Sequence, residues 1–282
     1  MVNVQRLAAF TTDHRGGNPA GVVVRSQHPP DEEMQRIAAA VGYSETAFLA
    51  PMPDQPRSYR VRYYSPLMEV PFCGHATIAA AVSLLDRVGP GQLRLLTGAG
   101  PVMVDAGYDD SDRPVATLTS PPPSVYPAED ALVREALSAL DWSASDLDPR
   151  LPPARASAGA SHLILAVQHR ARLGHLEYDF DRLKALMMRE GLVTLHLVWQ
   201  EDPFRYHARD PFPVGGVVED PATGAAAAAF GAYLRHFGLV APPCRITIIQ
   251  GEDMGRPSTL LVDLRPGQQS VLVSGNAVPV SD

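Results

Sequence analysis

The sequence predicts an α+β protein built of two similar halves, each a set of short strands around one buried helix. Three observations carry this prediction. First, one pattern occurs twice, about half a chain apart. Arg62-Tyr63-Tyr64-Ser65-Pro66 leads through Glu69 and Cys73-Gly74-His75 into the apolar residues 78–82. Arg209-Asp210-Pro211-Phe212-Pro213 leads through Glu219 and Asp220-Pro221-Ala222-Thr223-Gly224 into the alanines 225–229. A period this long points to two domains, since solenoid repeats are much shorter. Second, the helices opened by these turns have almost no polar face, so they must be buried on every side. Third, the strand-like runs do not alternate regularly with helices, which argues against a doubly wound parallel sheet.

The elements follow in order. Residues 4–10 and 19–24 read as strands around a turn-rich segment. Asp31, Glu32 and Glu33 open a helix, where the dipole favours acids, and Gly42 suits its C-terminal cap. Residues 46–49 and 59–64 read as strands. The helix after His75 extends to about 88 and stops at Gly89-Pro90-Gly91. Strands at 93–96, 102–106 and 115–119 precede Pro121-Pro122-Pro123, which ends all periodicity and marks a linker. Two domains are therefore expected, 1–120 and 121–282, with the last strand free to return to the first. In the second half, a helix at 129–140 and an irregular stretch at 141–153 precede a strand at 161–167. A helix at 180–190 ends at Gly191, strands follow at 192–199 and 204–208, and the second apolar helix runs to about 237. Strands at 245–250, 259–264 and 270–273 complete the set.

Composition limits the function. The 282 residues are 45% hydrophobic and 20% charged, with a net charge of −7, which is no footprint for nucleic acid. The basic residues form no run for an anionic membrane, and no stretch approaches the roughly 18 apolar residues of a membrane span. The first residues lack the pattern of a signal peptide, so a cytoplasmic location is expected. Lys184 is the one lysine and sits on a polar helix turn, which argues against Schiff-base chemistry. Cys73 and Cys244 make no disulfide framework. The histidines show no metal-ligand spacing, and Gly98-Ala99-Gly100 lacks the third glycine of a dinucleotide site. Neither a metal nor a cofactor is expected.

The halves differ at one informative place. Gly42 and Gly191 end matching helices, and three residues later stand Glu45 and Thr194. Glu45 therefore has no twin. In a closed cavity, desolvation would raise its pKa and equip it to donate as well as accept protons; otherwise it is a solvated turn carboxylate. The turns at Gly74 and Thr223-Gly224 place backbone N–H groups at helix starts, which attract carboxylate or phosphate; Thr77 and Thr223 could instead simply cap them. Facing each other, the turns would enclose a site between the domains. His75 can relay a proton or serve structurally. Asp220 before Pro221 can hold a substrate group or form the turn. Asn18 before Pro19 can touch substrate or turn the chain, and Cys73 can be a small hydrophobe or a nucleophile.

Together these words resemble the phenazine-biosynthesis PhzF-like family: Asn18-Pro19-Ala20-Gly21, Ser44-Glu45-Thr46, Cys73-Gly74-His75-Ala76-Thr77 and Glu219-Asp220-Pro221-Ala222-Thr223-Gly224, in the family's order and spacing. The resemblance implies a diaminopimelate epimerase-like architecture, two pseudo-symmetric domains that are each a strand-rich barrel around a central helix. It implies a homodimer and a cofactor-independent isomerase similar to trans-2,3-dihydro-3-hydroxyanthranilate isomerase, acting on a small anionic substrate. Glu45 would be the acid/base, with His75 and Asp220 in support. Asn18, Ser44, Cys73, Gly74, Thr223 and Gly224 would surround the substrate. The second turn offers Asp220-Pro221 where a two-thiol epimerase needs its other cysteine, and Ala225 stands where many relatives have Ser. A catalytically silent binding protein and an amino- or hydroxy-acid epimerase are the alternatives.

Overall fold

The computed structural model describes residues 3–280. The chain separates into two compact units, one running to Thr119 and resuming at Ser274, the other spanning Ser120–Val273. The first unit contains β1 (Gln5–Ala9), β2 (Asn18–Val24), α1 (Asp31–Val41), β3 (Glu45–Pro51), β4 (Ser58–Tyr64), β5 (Glu69–Val70), α2 (Gly74–Ser83), α3 (Leu85–Val88), β6 (Gly91–Thr97), β7 (Gly100–Tyr108) and β8 (Pro114–Thr119). The second contains β9 (Ser124–Pro127), α4 (Asp130–Ala139), β10 (Ala154–Ser157), β11 (Ser161–Val167), α5 (Arg170–Gly174), α6 (Phe180–Glu190), β12 (Thr194–Asp202), β13 (Arg205–Pro211), β14 (Glu219–Asp220), α7 (Gly224–His236), β15 (Cys244–Gln250) and β16 (Ser258–Leu264). The final strand, β17 (Leu272–Pro279), begins in the second unit and continues into the first.

In the first unit, β17 pairs with β1, and the ladder continues through β2, β3, β4, β6, β7 and β8 back to β17, closing a barrel. Closure leaves these strands without an edge. The β2–β3 and β4–β6 pairs are parallel, and the β1–β2, β3–β4, β6–β7 and β7–β8 pairs are antiparallel. The second unit repeats this order. β9–β10–β11 run antiparallel, β11–β12 parallel, β12–β13 antiparallel, β13–β15 parallel and β15–β16 antiparallel.

The alanine-rich helices are the cores. Every residue of α2 from His75 to Ser83 is buried, as are Ala226 to Leu234 of α7. Alanine serves because it loses no side-chain entropy in a helix and lets surrounding strands approach closely. Bulk comes from larger residues between the alanines: Ile78 in α2, and Phe230 and Tyr233 in α7, whose rings stack at 5.5 Å. Tyr206 of β13 meets Phe230 edge-on at 4.8 Å. Gly42 and Gly191 adopt left-handed conformations at the ends of α1 and α6, as the sequence suggested for Gly42.

Several boundaries differ from expectation. The helix after His75 stops at Ser83, whose Oγ bonds back to the Ala80 carbonyl at 2.7 Å, and a separate turn follows. The strand read as 204–208 runs to Pro211, because its end pairs with β14. The strand read as 270–273 continues to Pro279, held by its pairing with β1. Strand β9 starts directly after the triple proline, where the sequence showed only a linker.

Candidate active site

In the first unit, the parallel β2–β3 pair and the start of α2 bring four predicted residues onto one imidazole. Glu45 opens β3, in register with Ala20, so Asn18 lies two residues away on the neighbouring strand. Cys73 is the extended N-cap of α2, and His75 occupies its first turn. The Asn18 amide donates to His75 Nδ1 at 3.2 Å. The neutral ring then carries its proton on Nε2. That nitrogen lies 3.3 Å from Ser44 Oγ and 3.4 Å from Glu45 Oε2. The Cys73 thiol donates to Glu45 Oε2 at 3.4 Å and lies 3.3 Å from His75 Nδ1. One carboxylate oxygen thus receives an S–H and faces an N–H.

Burial separates the roles these groups can take. Asn18 is 1% exposed and His75 5%, whereas the Glu45 side chain keeps 15%. Desolvation lowers the His75 pKa, with the Glu45 charge opposing, so the ring is neutral at pH 7. A neutral imidazole with its proton on Nε2 is a hydrogen-bond donor, not a cation. A second layer fixes the helix start: Tyr63 Oη donates to Thr77 Oγ1 at 2.6 Å, and Thr77 Oγ1 donates to the Cys73 carbonyl at 2.6 Å. Neither Cys73 nor Thr223 makes a side-chain cap bond to its helix. The capping role that the sequence left open for Thr77 and Thr223 is therefore not the one they play.

In the second unit, the corresponding turn is locked differently. Thr223 Oγ1 donates to Asp220 Oδ2 at 2.6 Å. Gln250 accepts the Thr223 N–H at 3.1 Å, and its amide donates to the Asp220 carbonyl at 2.8 Å. Gly224 starts α7 directly behind this turn. Gln250 lies 27 residues from Thr223, and the sequence offered no sign of its part.

Thr194, at the place Glu45 holds in the first unit, is 1% exposed and joins a sealed chain of polar groups. His162 Nδ1 donates to Thr194 Oγ1 at 2.8 Å, Thr194 Oγ1 donates to Asp210 Oδ2 at 3.4 Å, and His196 Nδ1 donates to Asp210 Oδ1 at 2.7 Å. Asp210 holds the position after the repeated Arg that Tyr63 holds in the first unit. Burial drives the His162 pKa down to about 4. The repeated arginines are structural in both copies: Arg62 binds Asp31 and Glu69, and Arg209 binds Glu219.

Among the described residues, Glu45, Cys73 and His75 form a group whose donor atoms lie within 4.8 Å of one another, close enough to share an ion. Sequence spacing could not show it, because Glu45 sits 28 residues from Cys73. No helix of the described chain is long and apolar enough to cross a membrane.

Comparison with known proteins agrees with this arrangement. Residues 7–282 match the family described as phenazine biosynthesis-like protein. An uncharacterized isomerase of Clostridium acetobutylicum is 30% identical over 99% of this chain and 96% of its own. The trans-2,3-dihydro-3-hydroxyanthranilate isomerase of Pseudomonas chlororaphis is 29% identical over 96% of this chain and 95% of its own. The solved structure of a predicted epimerase from Pseudomonas aeruginosa superimposes with a TM-score of 0.86 at 27% identity, covering 100% of this chain and 98% of that one. The paired barrels, the words at Asn18, Glu45, His75 and Asp220, and these matches along the whole length lead to one conclusion: the chain is an isomerase-class member of the phenazine biosynthesis-like PhzC-PhzF family.

Proposed function

We propose that the protein moves a proton within a small carboxylate-bearing substrate, with no redox cofactor and no metal taking part. The observation that carries the reading is the environment of Glu45: a single, partly open carboxylate against a neutral imidazole and a thiol, beside an uncapped helix start. Glu45 removes a proton from carbon and returns it at another atom of the same substrate. Amides at the start of α2 hold the substrate's negative group and the charge that develops in an enol-like intermediate. The Nε2–H of His75, supported by Asn18 and Ser44, keeps the Glu45 carboxylate oriented between the two transfers. Asp220, Thr223 and Gly224 are assigned to substrate binding on the same chemical ground, a fixed turn at a helix start. The name of the Pseudomonas chlororaphis relative supports a dihydro-hydroxyanthranilate-like acid as substrate class. A cytoplasmic homodimer completes the proposal.

Ala225, which offers no hydroxyl behind Gly224, favours a second reading in which the protein binds such acids without turnover. Deuterium exchange separates the two. The acid is incubated in D2O with wild type or Glu45→Gln, and label at carbon is followed by NMR. Wild type exchanges, and the variant loses about 10²–10⁴ of the rate, the span that general acid–base groups supply. Equal exchange by both proteins removes Glu45 from the mechanism; binding without exchange by wild type establishes the silent protein.

A further inference from the structure

We propose that Glu45, Cys73 and His75 also form a binding site for a soft divalent cation, Zn²⁺ foremost, and that the ion acts as an inhibitor. The binding half stands on geometry; the inhibition rests on the acid/base reading of Glu45.

The distances fit an ion without rearranging the backbone. Taking Nε2 as the histidine donor, Cys73 Sγ to Nε2 is 3.8 Å, Sγ to Glu45 Oε2 is 3.4 Å, and Nε2 to Oε2 is 3.4 Å. A triangle with these sides has a point roughly 2 Å from every corner, and an ion slightly above that plane gains the longer bond that sulfur requires, about 2.3 Å against about 2.0–2.2 Å for nitrogen and oxygen. Three donors from a short strand start and a helix start leave a fourth tetrahedral position. Glu45, the most exposed of the three groups, leaves that side open to water. The donor set selects the ion: thiolate and imidazole suit Zn²⁺ and Co²⁺, while Mg²⁺ and Ca²⁺ want oxygen alone.

Protons balance simply. Cys73 releases its thiol proton to solvent. The His75 proton moves from Nε2 to Nδ1, and a half-turn of the Asn18 amide brings Oδ1 round to accept it, the kind of partner that metal-bound histidines have. Once the ion holds Oε2 and Nε2, Glu45 can no longer reach a substrate carbon, and removal of the ion by a chelator restores it.

The test uses the full-length protein stripped of metal. Titration with Co²⁺ alone is followed by the thiolate-to-cobalt charge-transfer band and the visible bands of four-coordinate cobalt, and Zn²⁺ affinity by calorimetry. The expected result is one ion per chain, with the band retained in Cys244→Ser and lost in Cys73→Ser, and Zn²⁺ binding at least about tenfold weaker in Cys73→Ser and in Glu45→Gln. Absence of the band in wild type, its loss in Cys244→Ser with retention in Cys73→Ser, or unchanged Zn²⁺ affinity in both ligand variants overturns the site. Deuterium exchange with and without Zn²⁺ then reads the second half: exchange that continues at full rate in zinc-loaded protein overturns inhibition and counts against Glu45 as the base, while the binding site stands.

Discussion

His162 offers a direct test of how the second unit stores its polar groups. The side chain is fully buried, and desolvation lowers its pKa from 6.5 to about 4, with the Asp210 charge opposing and His196 adding to the fall. The unfolded chain therefore binds more protons than the folded one between these two values. Stability is complete above pH 6.5, declines as the pH falls below it, and stops declining below about pH 4. With RT of about 0.59 kcal/mol, the loss from this residue is about 2 kcal/mol at pH 5 and approaches about 3 kcal/mol at full protonation. His162→Leu, a replacement of similar volume, removes the titration. Trp142 and Trp199 both lie in the second unit, so their fluorescence in denaturant titrations reports on the unit that holds His162. Measured at pH 7.5 and pH 5, wild type should lose about 2 kcal/mol more than the variant. Any fixed cost of the substitution cancels in this difference. Parallel pH dependence in the two proteins would show that His162 is not held neutral by burial.

Further outcomes follow from the same contacts. Arg209 meets Glu219 through Nε at 3.0 Å and holds the Gly174 carbonyl at 2.9 Å, and burial already pushes the Glu219 carboxyl up. Arg209→Ala should cost about 3–5 kcal/mol in denaturant unfolding at neutral pH, with part of the loss recovered at lower pH as Glu219 protonates. A loss under 1 kcal/mol at pH 7 would contradict the burial of this pair. Asn18→Asp replaces a donor to His75 Nδ1 by an acceptor, so ¹⁵N spectra should show the ring proton at Nδ1, with kcat reduced and KM nearly unchanged. Unaltered ring shifts would mean that Asn18 does not set the tautomer.

Much of this was readable from residue order, and the gaps have physical causes. The duplicated turn before an all-apolar helix can fold in few ways, since such a helix needs strands on every side. The mismatch of Glu45 against Thr194 is a local comparison, and it led to the residue around which the cluster forms. What stayed hidden depends on distant partners. Asn18 reads as a turn residue until β2 brings it to His75, 57 positions away. His196 sits in a strand of apolar neighbours, and its acid lies on the adjacent strand at Asp210. The short strands β9 and β10 flank a proline-rich stretch and carry little hydrophobic alternation, so their pairing partners define them more than their own composition does.

The path of β17 has a consequence for synthesis. Residues 120–273 are contiguous, and that unit can assemble as soon as it has left the ribosome. The barrel around α2 needs β17 between β1 and β8, so its first-made segments wait for the last-made strand. The proton-handling groups on β3 and α2 are therefore held in place only once translation is finished, and a truncated product missing the final strand leaves two ladder edges open in the unit that carries Glu45.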